Sequence, residues 1–266
     1  MKSTDIQKAY IGSTEVEKIY IGSDLIYQNA IDYSKIPLTL ISLDDNNVIG
    51  WKSNKSTNLK TISVSTDNGA TWTSYTASTA SAGTTLATLN TGDKLLVKGN
   101  NNLYASSSFY HWFRCTGRFN PVGNMMSLIY GDNFIDKVDF PSGSTYNFAA
   151  MFDSCKVITA ENLILPATTL TAFCYTNLFQ FCTQLTTSPV LGALTLANYS
   201  YQLMFTGCKL LNKITCLATD ISASNCVTNM TKNVASSGTF VKNPNMSSWS
   251  TGVNGIPSGW TVVDAS

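Results

Sequence analysis

The sequence predicts an α+β protein: an N-terminal β-arm, a small β-sandwich, and then a short irregular solenoid with a C-terminal β cap. Each solenoid unit is expected to hold one helix and one short strand in about 26 residues. Three observations carry this reading. First, Tyr175-Thr-Asn-Leu178-Phe179-Gln-Phe-Cys182 returns as Tyr201-Gln-Leu-Met204-Phe205-Thr-Gly-Cys208, after a weaker copy in Phe148-Ala-Ala-Met151-Phe152-Asp-Ser-Cys155. The three cysteines fall 27 and then 26 residues apart, and such self-similarity marks units that bury their apolar face only against their neighbours. Second, a decapeptide repeats in tandem near the start. Third, the stretch between the two repeats alternates strand-like runs with turn residues.

The chain divides accordingly into an arm (1–30), a β-sandwich (31–115), a solenoid (116–226) and a cap (227–266). In the arm, Ile6-Gln-Lys8-Ala-Tyr10-Ile-Gly12-Ser13 comes back as Val16-Glu-Lys18-Ile-Tyr20-Ile-Gly22-Ser23, and Leu25-Ile-Tyr27 begins a third copy. Alternating Ile and Tyr with Gly-Ser turns reads as short strands and tight turns. Such a piece is too small to be stable alone and must pack on its own β-domain or on another subunit.

From Pro37 to Asn101 the runs Leu38–Leu43, Leu59–Val64, Thr85–Leu89 and Lys94–Lys98 read as strands. Asp67-Asn-Gly69 and Thr91-Gly-Asp93 supply turns. About seven strands are expected here. Within them, Ser65-Thr-Asp67-Asn-Gly69-Ala-Thr71-Trp72 resembles the Asp-box of sialidases, whose aspartate ties down a hairpin turn over the tryptophan. A sialidase also needs three arginines, and this chain has only Arg114 and Arg118, so the motif is expected to be structural.

Ser108-Phe-Tyr110-His111-Trp112-Phe113-Arg114-Cys115 is the densest aromatic stretch. Two readings stand for it: Tyr110 and Trp112 form an exposed platform for sugar rings or a partner, or the strand seals the β-domain onto the first solenoid turn. Beyond it, Leu170, Cys174, Tyr175, Leu178, Phe179 and Cys182 lie on one face of an expected helix of about three turns, with Thr169 and Thr195 as caps. Past Cys226 the repeat frame fails, and a β-hairpin with Trp249 and Trp260 is expected to close the open end.

The frame Tyr-x-x-(Met/Leu)-Phe-x-x-Cys-x-x-Leu-Thr, followed by a strand containing proline, resembles the BspA-like leucine-rich repeats. The match covers roughly residues 120–226. Such repeats occur on surface proteins of gut bacteria and in fibres and appendages of their phages, the crAss-like phages included. The tandem Lys-x-Tyr-x-Gly-Ser arm is similar to N-terminal attachment segments of phage structural proteins. Together the resemblances imply a virion protein, a head fibre or tail appendage. Its arm (Lys8, Tyr10, Gly12, Lys18, Tyr20, Gly22) would dock on a capsid or tail adaptor protein, and its solenoid would adhere to a host surface glycan or protein. A homotrimer is the expected assembly, since bundled arms leave no exposed edges. The alternative is a bacterial cell-surface adhesin with the same solenoid.

Composition narrows the field. Charged residues make up 12% and the net charge is +1, so no field attracts nucleic acid or an anionic membrane. No apolar run is long enough to insert in a membrane as a helix, and the start lacks the apolar stretch of a secretory signal. A chain complete as given is therefore expected in the virion, assembled in the host cytoplasm, rather than exported.

Seven cysteines cannot all pair, and Cys155, Cys182 and Cys208 occupy equivalent positions, which reads as buried free thiols. Cys-x-x-Cys spacing and phosphate loops are missing from the sequence, as is a Gly-x-Ser-x-Gly elbow. Neither an enzyme nor a cofactor is expected. The one loose end is a set of acids, Asp132, Asp136, Asp139 and Asp153, whose spacing leaves open whether they converge.

Overall fold

The computed structural model describes residues 31–266 in full, together with the backbone of four short strands between 9 and 28. The chain divides into two compact units, Met1–Asp32 and Tyr33–Ser266. In the first unit, β1 (Ala9–Ile11) pairs antiparallel with β2 (Thr14–Val16), placing Tyr10 opposite Glu15. Strand β3 (Lys18–Ile21) pairs antiparallel with β4 (Asp24–Gln28), with Lys18 opposite Gln28 and Tyr20 opposite Leu25. The tandem copies thus form two successive hairpins. Lys8, Gly12 and Gly22 lie outside the described residues.

The second unit is mostly β. Its first half holds β5 (Thr39–Ser42), β6 (Asn47–Ser53), β7 (Thr61–Ser65), β8 (Thr73–Thr76), β9 (Thr84–Leu89), β10 (Lys94–Gly99) and β11 (His111–Cys115). A further strand, β12 (Phe119–Asn124), follows directly. They form two sheets: β12-β5-β10-β7-β8, and β11-β6-β9. Alternating burial along β7 and β10 sends Ile62, Val64, Leu95 and Val97 inward, where they join Trp51, Leu86 and Phe113 in one core. Ser127, fully buried, ties together the two neighbouring interior strands β5 and β10: its hydroxyl accepts the Leu38 N–H at 2.9 Å and donates to the Val97 carbonyl at 2.9 Å. Ser127 begins α1 (Ser127–Tyr130), which is the one α-helix among the described residues.

The second half is a β-solenoid of about three turns. Its strands are β13 (Leu163–Ile164), β14 (Thr187–Leu191), β15 (Lys213–Cys216), β16 (Thr239–Lys242) and β17 (Thr261–Asp264). β14 to β17 pair in parallel, and β13 pairs in parallel with β12, so the larger sheet of the first half runs into the solenoid.

The expected helices are not there. Each repeat instead runs through a chain of tight turns in which every fourth residue takes a left-handed conformation. These residues are Tyr146, Ala150 and Ser154, then Phe173, Asn177 and Phe181, then Tyr199, Leu203 and Gly207, then Asn225, Asn229 and Asn233. In the second of these segments, Phe173, Tyr175, Asn177, Phe179 and Phe181 donate their N–H groups to carbonyls of the following segment at 2.8–3.2 Å. Cys174, Thr176, Leu178, Gln180 and Cys182 instead close turns onto the carbonyl three residues back, at 3.0–3.3 Å. Half of the backbone donors therefore stitch one coil to the next, which a helix would not permit. Thr169 and Thr195 cap nothing; they pair in parallel with Asp139 and Asp220 of neighbouring coils.

The sequence explains the outcome. A helix turns about 100° per residue, so positions four apart drift by about 40° each time. Leu170, Cys174, Leu178 and Cys182 keep a strict interval of four and are all buried, as are Tyr175 and Phe179. Asparagine and glycine tolerate the left-handed region. Gly207 also has no room for more: a Cβ there would come within 2.6 Å of the Phe181 ring.

The inward residues stack into ladders. Phe152, Phe179 and Phe205 lie nearly parallel, with centroids 5.4 and 5.9 Å apart. Phe113 of β11 begins this ladder, stacked 5.7 Å from Phe152. Each ladder cysteine donates its S–H to the carbonyl of the phenylalanine one rung earlier: Cys155 to Phe113 (3.1 Å), Cys182 to Phe152 (3.0 Å) and Cys208 to Phe179 (3.0 Å). All seven cysteines are free thiols. Phe148, Tyr175 and Tyr201 form a second inner column, and Tyr104 of the first half stacks on Phe148.

The C-terminal hairpin is also replaced. β16 and β17 run parallel, so residues beyond 226 continue the winding. Asn225, Asn229 and Asn233 repeat the left-handed turns there, and Trp249 packs on Phe240 at 5.2 Å. The Trp260 indole N–H donates to the Ala235 carbonyl at 2.8 Å.

Because Phe179 is fully buried between two rings of its ladder, Phe179→Ala is expected to cost about 3–5 kcal/mol. Chemical denaturation followed by circular dichroism checks this, and a loss below about 1 kcal/mol would mean that the ladder carries little of the core.

Candidate functional site

Strand β11 faces two ways. Its alternation buries His111 and Phe113 and turns Trp112 and Arg114 outward. Trp112 sits opposite Lys52 of β6, whose ammonium lies 5.6 Å from the centre of the indole ring. Just before the strand, the Tyr110 N–H donates to the Asn54 side-chain oxygen at 2.8 Å, and the Asn54 N–H returns to the Tyr110 carbonyl at 3.3 Å.

Across from these residues stands the turn face of the solenoid. Ala150 and Asn177 occupy the same left-handed position in successive coils, where the next coil carries Leu203. The small alanine leaves a notch. Asn54, Tyr110 and Trp112 on one side, and Ala150, Asp153 and Asn177 on the other, enclose a cleft of about 240 Å³. Asp153 is half-buried in its wall. Burial raises its carboxyl above the usual range, partly offset by the Ser154 hydroxyl, which donates at 2.9 Å, and by the charge of Arg114. Among the described residues Asp153 forms no ion pair. One donor of the Asn177 amide goes to Gln180 at 2.8 Å.

Beside the cleft runs an outer aromatic ladder. Tyr146, Phe173 and Tyr199 stack face to face at 4.3 and 4.4 Å, with interplanar angles of 3° and 6°. Burial, together with the neighbouring hydroxyls of Tyr110 and Tyr199, pushes the Tyr146 hydroxyl up.

Tyr110, just before β11, and Trp112, within it, are therefore brought together in one half-exposed wall, while the buried side of the strand, His111 and Phe113, packs into the core that the two halves share. Tyr175, Phe179, Cys182, Tyr201, Phe205 and Cys208 are buried in the solenoid core and belong to no cleft.

The Asp-box forms a turn of its own. Asp67 accepts hydrogen bonds from the Ser65 hydroxyl (2.6 Å), the Thr71 hydroxyl (2.6 Å) and the Thr71 N–H (2.9 Å). The Ser65 oxygen accepts the Gly69 N–H (2.8 Å), and the Trp72 indole donates to the Gly69 carbonyl (3.0 Å). The hydroxyls of Ser65 and Thr71 hold the Asp67 carboxyl down at about 2. Lys98 covers the Trp72 ring at 4.0 Å.

The four acids do not share a wall. Asp132 pairs with Lys98 at 2.8 Å, while Asp153 alone of the four lines the junction cleft. Among the described residues no cluster of His, Cys, Asp and Glu is placed to hold a metal ion. Sequence reasoning did not bring Asn54, Ala150 and Asn177 to this cleft. The one available signal was an alanine at a position where other coils carry Asn or Leu. No family model, curated protein or solved structure matches the chain.

Under the cleft wall, His111 is locked. Its Nδ1–H donates to the Tyr104 carbonyl (2.8 Å) and its Nε2 accepts the Lys60 N–H (3.1 Å). That arrangement fits the neutral ring, and burial, helped by the Lys60 charge, lowers its pKa from 6.5 to about 4. Between those values the unfolded chain binds a proton that the folded chain refuses, so stability is full above pH 6.5 and falls as the pH drops toward about 4. Asp67 acts in a separate window, where its contribution fades below 3.8 and is gone near 2. Chemical denaturation of wild type and His111→Gln across this pH range is expected to show the fall in stability from pH 6.5 toward 4 in wild type only, since the raised Asp153 carboxyl acts in the opposite direction. A slope that persists in the variant would assign it to other groups.

Proposed function

We propose that the chain is a phage virion structural protein, a head fibre or tail appendage, without enzymatic activity. Its N-terminal arm docks on a capsid or tail adaptor protein, and its body presents a surface that adheres to a host glycan or surface protein. The observation that carries this reading is the arm itself. Two copies of one decapeptide make two short hairpins within a compact unit of their own. Two-stranded hairpins with open edges are marginal alone and gain stability by pairing on a partner surface or by bundling with equivalent arms. A homotrimer satisfies both, and cyclic closure leaves no strand unpaired.

Two further features support the reading. Seven free thiols, six of them buried, suit a chain that folds in a reducing cytoplasm and is then built into a particle. An exported bacterial adhesin would meet an oxidising environment. The junction cleft also has the lining of a binding site: aromatic walls, two amides and one carboxylate. Glycoside hydrolysis needs two carboxyl groups across the scissile bond, and one acid lines this cleft.

Ordering the arm costs roughly 1–2 kcal/mol per residue of backbone entropy, which contacts with the partner must offset. A chain lacking residues 1–30 is expected to keep the circular dichroism and melting behaviour of the body while failing to enter particles. Incorporation of the truncated chain at wild-type levels would rule out the arm as the anchor.

A further inference from the structure

We infer that the cleft between β11 and the first two solenoid coils is a subsite for one neutral sugar ring, a hexopyranose or N-acetylhexosamine residue of a surface glycan. The inference rests on reading the chain as a binding protein and adds the class of ligand and the residues that select it.

Size comes first. The cleft holds about 240 Å³, below the roughly 300–1,000 Å³ of sites for drug-sized ligands, so it suits a single ring rather than a chain of side chains. Chemistry comes second. A pyranose presents a face of C–H bonds and a rim of hydroxyls. Trp112 and Tyr110 supply aromatic surface for the C–H face. Lys52 lies over the indole and Asn54 accepts the Tyr110 backbone N–H, so the indole and the backbone that carries Tyr110 are held before a ligand arrives.

The rim needs directional partners, and the opposite wall provides them. The Asp153 carboxylate has one oxygen engaged by Ser154 and no ion pair among the described residues, which leaves it acceptor capacity for sugar hydroxyls. Asn177 commits one of its two amide donors to Gln180, and Asn54 has its own side-chain amide at the other edge.

Charge decides the class. Asp153 is the one charged side chain in the cleft lining, with Lys52 over the indole and Arg114 acting from outside that lining, so a sialic acid or uronic acid seated in the cleft would set its carboxylate directly against a half-buried one. An apolar peptide side chain would leave that carboxylate desolvated and unpaired. A neutral polyol satisfies it.

Specificity also has a steric origin. Ala150 forms the notch, and the equivalent position of the third coil holds Leu203 with φ of 57°. The backbone therefore accepts leucine there, and Ala150→Leu fills the cleft without breaking the coil.

The test uses the full chain and a panel of methyl hexopyranosides and N-acetylhexosamines, with sialic acid and glucuronic acid as anionic controls. Binding is read by saturation-transfer NMR and titration calorimetry. At least one neutral member is expected to bind with a dissociation constant of about 1 mM, as fits a single shallow ring site. Trp112→Ala and Ala150→Leu are expected to abolish the signal, and Asp153→Asn to weaken it at least tenfold, all with unchanged melting temperature. Should a variant fold poorly, competition by free sugar against Trp112 fluorescence quenching in the wild-type chain decides the same question. Binding of anionic sugars as tight as neutral ones would overturn the inference, as would neutral binding that survives both Trp112→Ala and Ala150→Leu, or no binding by any neutral member. The arm-deleted chain should bind sugar normally. A chain that enters particles but binds no sugar refutes this inference alone, whereas one that binds sugar but enters no particle refutes only the virion reading.

Discussion

Everything in the body of this protein depends on one rung, Phe113. Its ring stacks on Phe152 at 5.7 Å and touches Trp51 at 5.1 Å, while its N–H donates to Met151 and its carbonyl accepts the Cys155 thiol. A β-solenoid coil cannot bury its apolar face alone; it needs a template of matching shape and matching hydrogen-bond groups. β11 is that template. It belongs to a sheet of the first half by its pairing with β6, and to the solenoid by the ring, N–H and carbonyl of Phe113, with the Cys115 sulfur accepting the Lys156 N–H beside them. The same strand turns Trp112 outward, so the junction that starts the winding also builds the cleft.

The repeat interval was legible because equivalent side chains must sit on equivalent rungs, and Tyr175, Phe179 and Cys182 recur as Tyr201, Phe205 and Cys208. The conformation inside the repeat was not. Positions one, four and five residues apart fit both an α-helix and a chain of four-residue turns, and over a dozen residues the two differ by little more than one drifting position. The deciding clue lay in Asn225, Asn229 and Asn233, three asparagines at intervals of four, each in the left-handed region. Just past residue 115 the same ambiguity meets the join between the two halves. β12 begins four residues later and pairs with both β5 and β13, so the two halves share a sheet as well as a core.

Of the cleft, the aromatic half was readable and the solenoid half was not. Tyr110 and Trp112 stand out in any scan of the sequence, as does Asp153 among a few scattered acids. Their meeting with Ala150 and Asn177 depends on how coils one and two stack, which no local pattern encodes. The design is economical in chemistry: thiols act as small buried donors to the carbonyls of neighbouring coils, and burial pushes Cys182 and Cys208 up and Cys216 to about 12, so they stay protonated. Cys115 is the exception. The adjacent Cys155 and the Lys156 N–H, the latter 3.3 Å from its sulfur, hold its thiol below the usual range at the half-exposed edge of the same junction.

The central claim is that β-domain and solenoid are one cooperative body joined through Phe113. Hydrogen exchange read by mass spectrometry through a guanidinium series tests it most directly, by following peptides from residues 38–53 and from residues 173–208 in the same samples. A shared rung predicts that both sets lose protection at one denaturant concentration, and that Phe113→Ala lowers both together. Loss of protection in the coils at a clearly lower concentration, with residues 38–53 still protected, would contradict it.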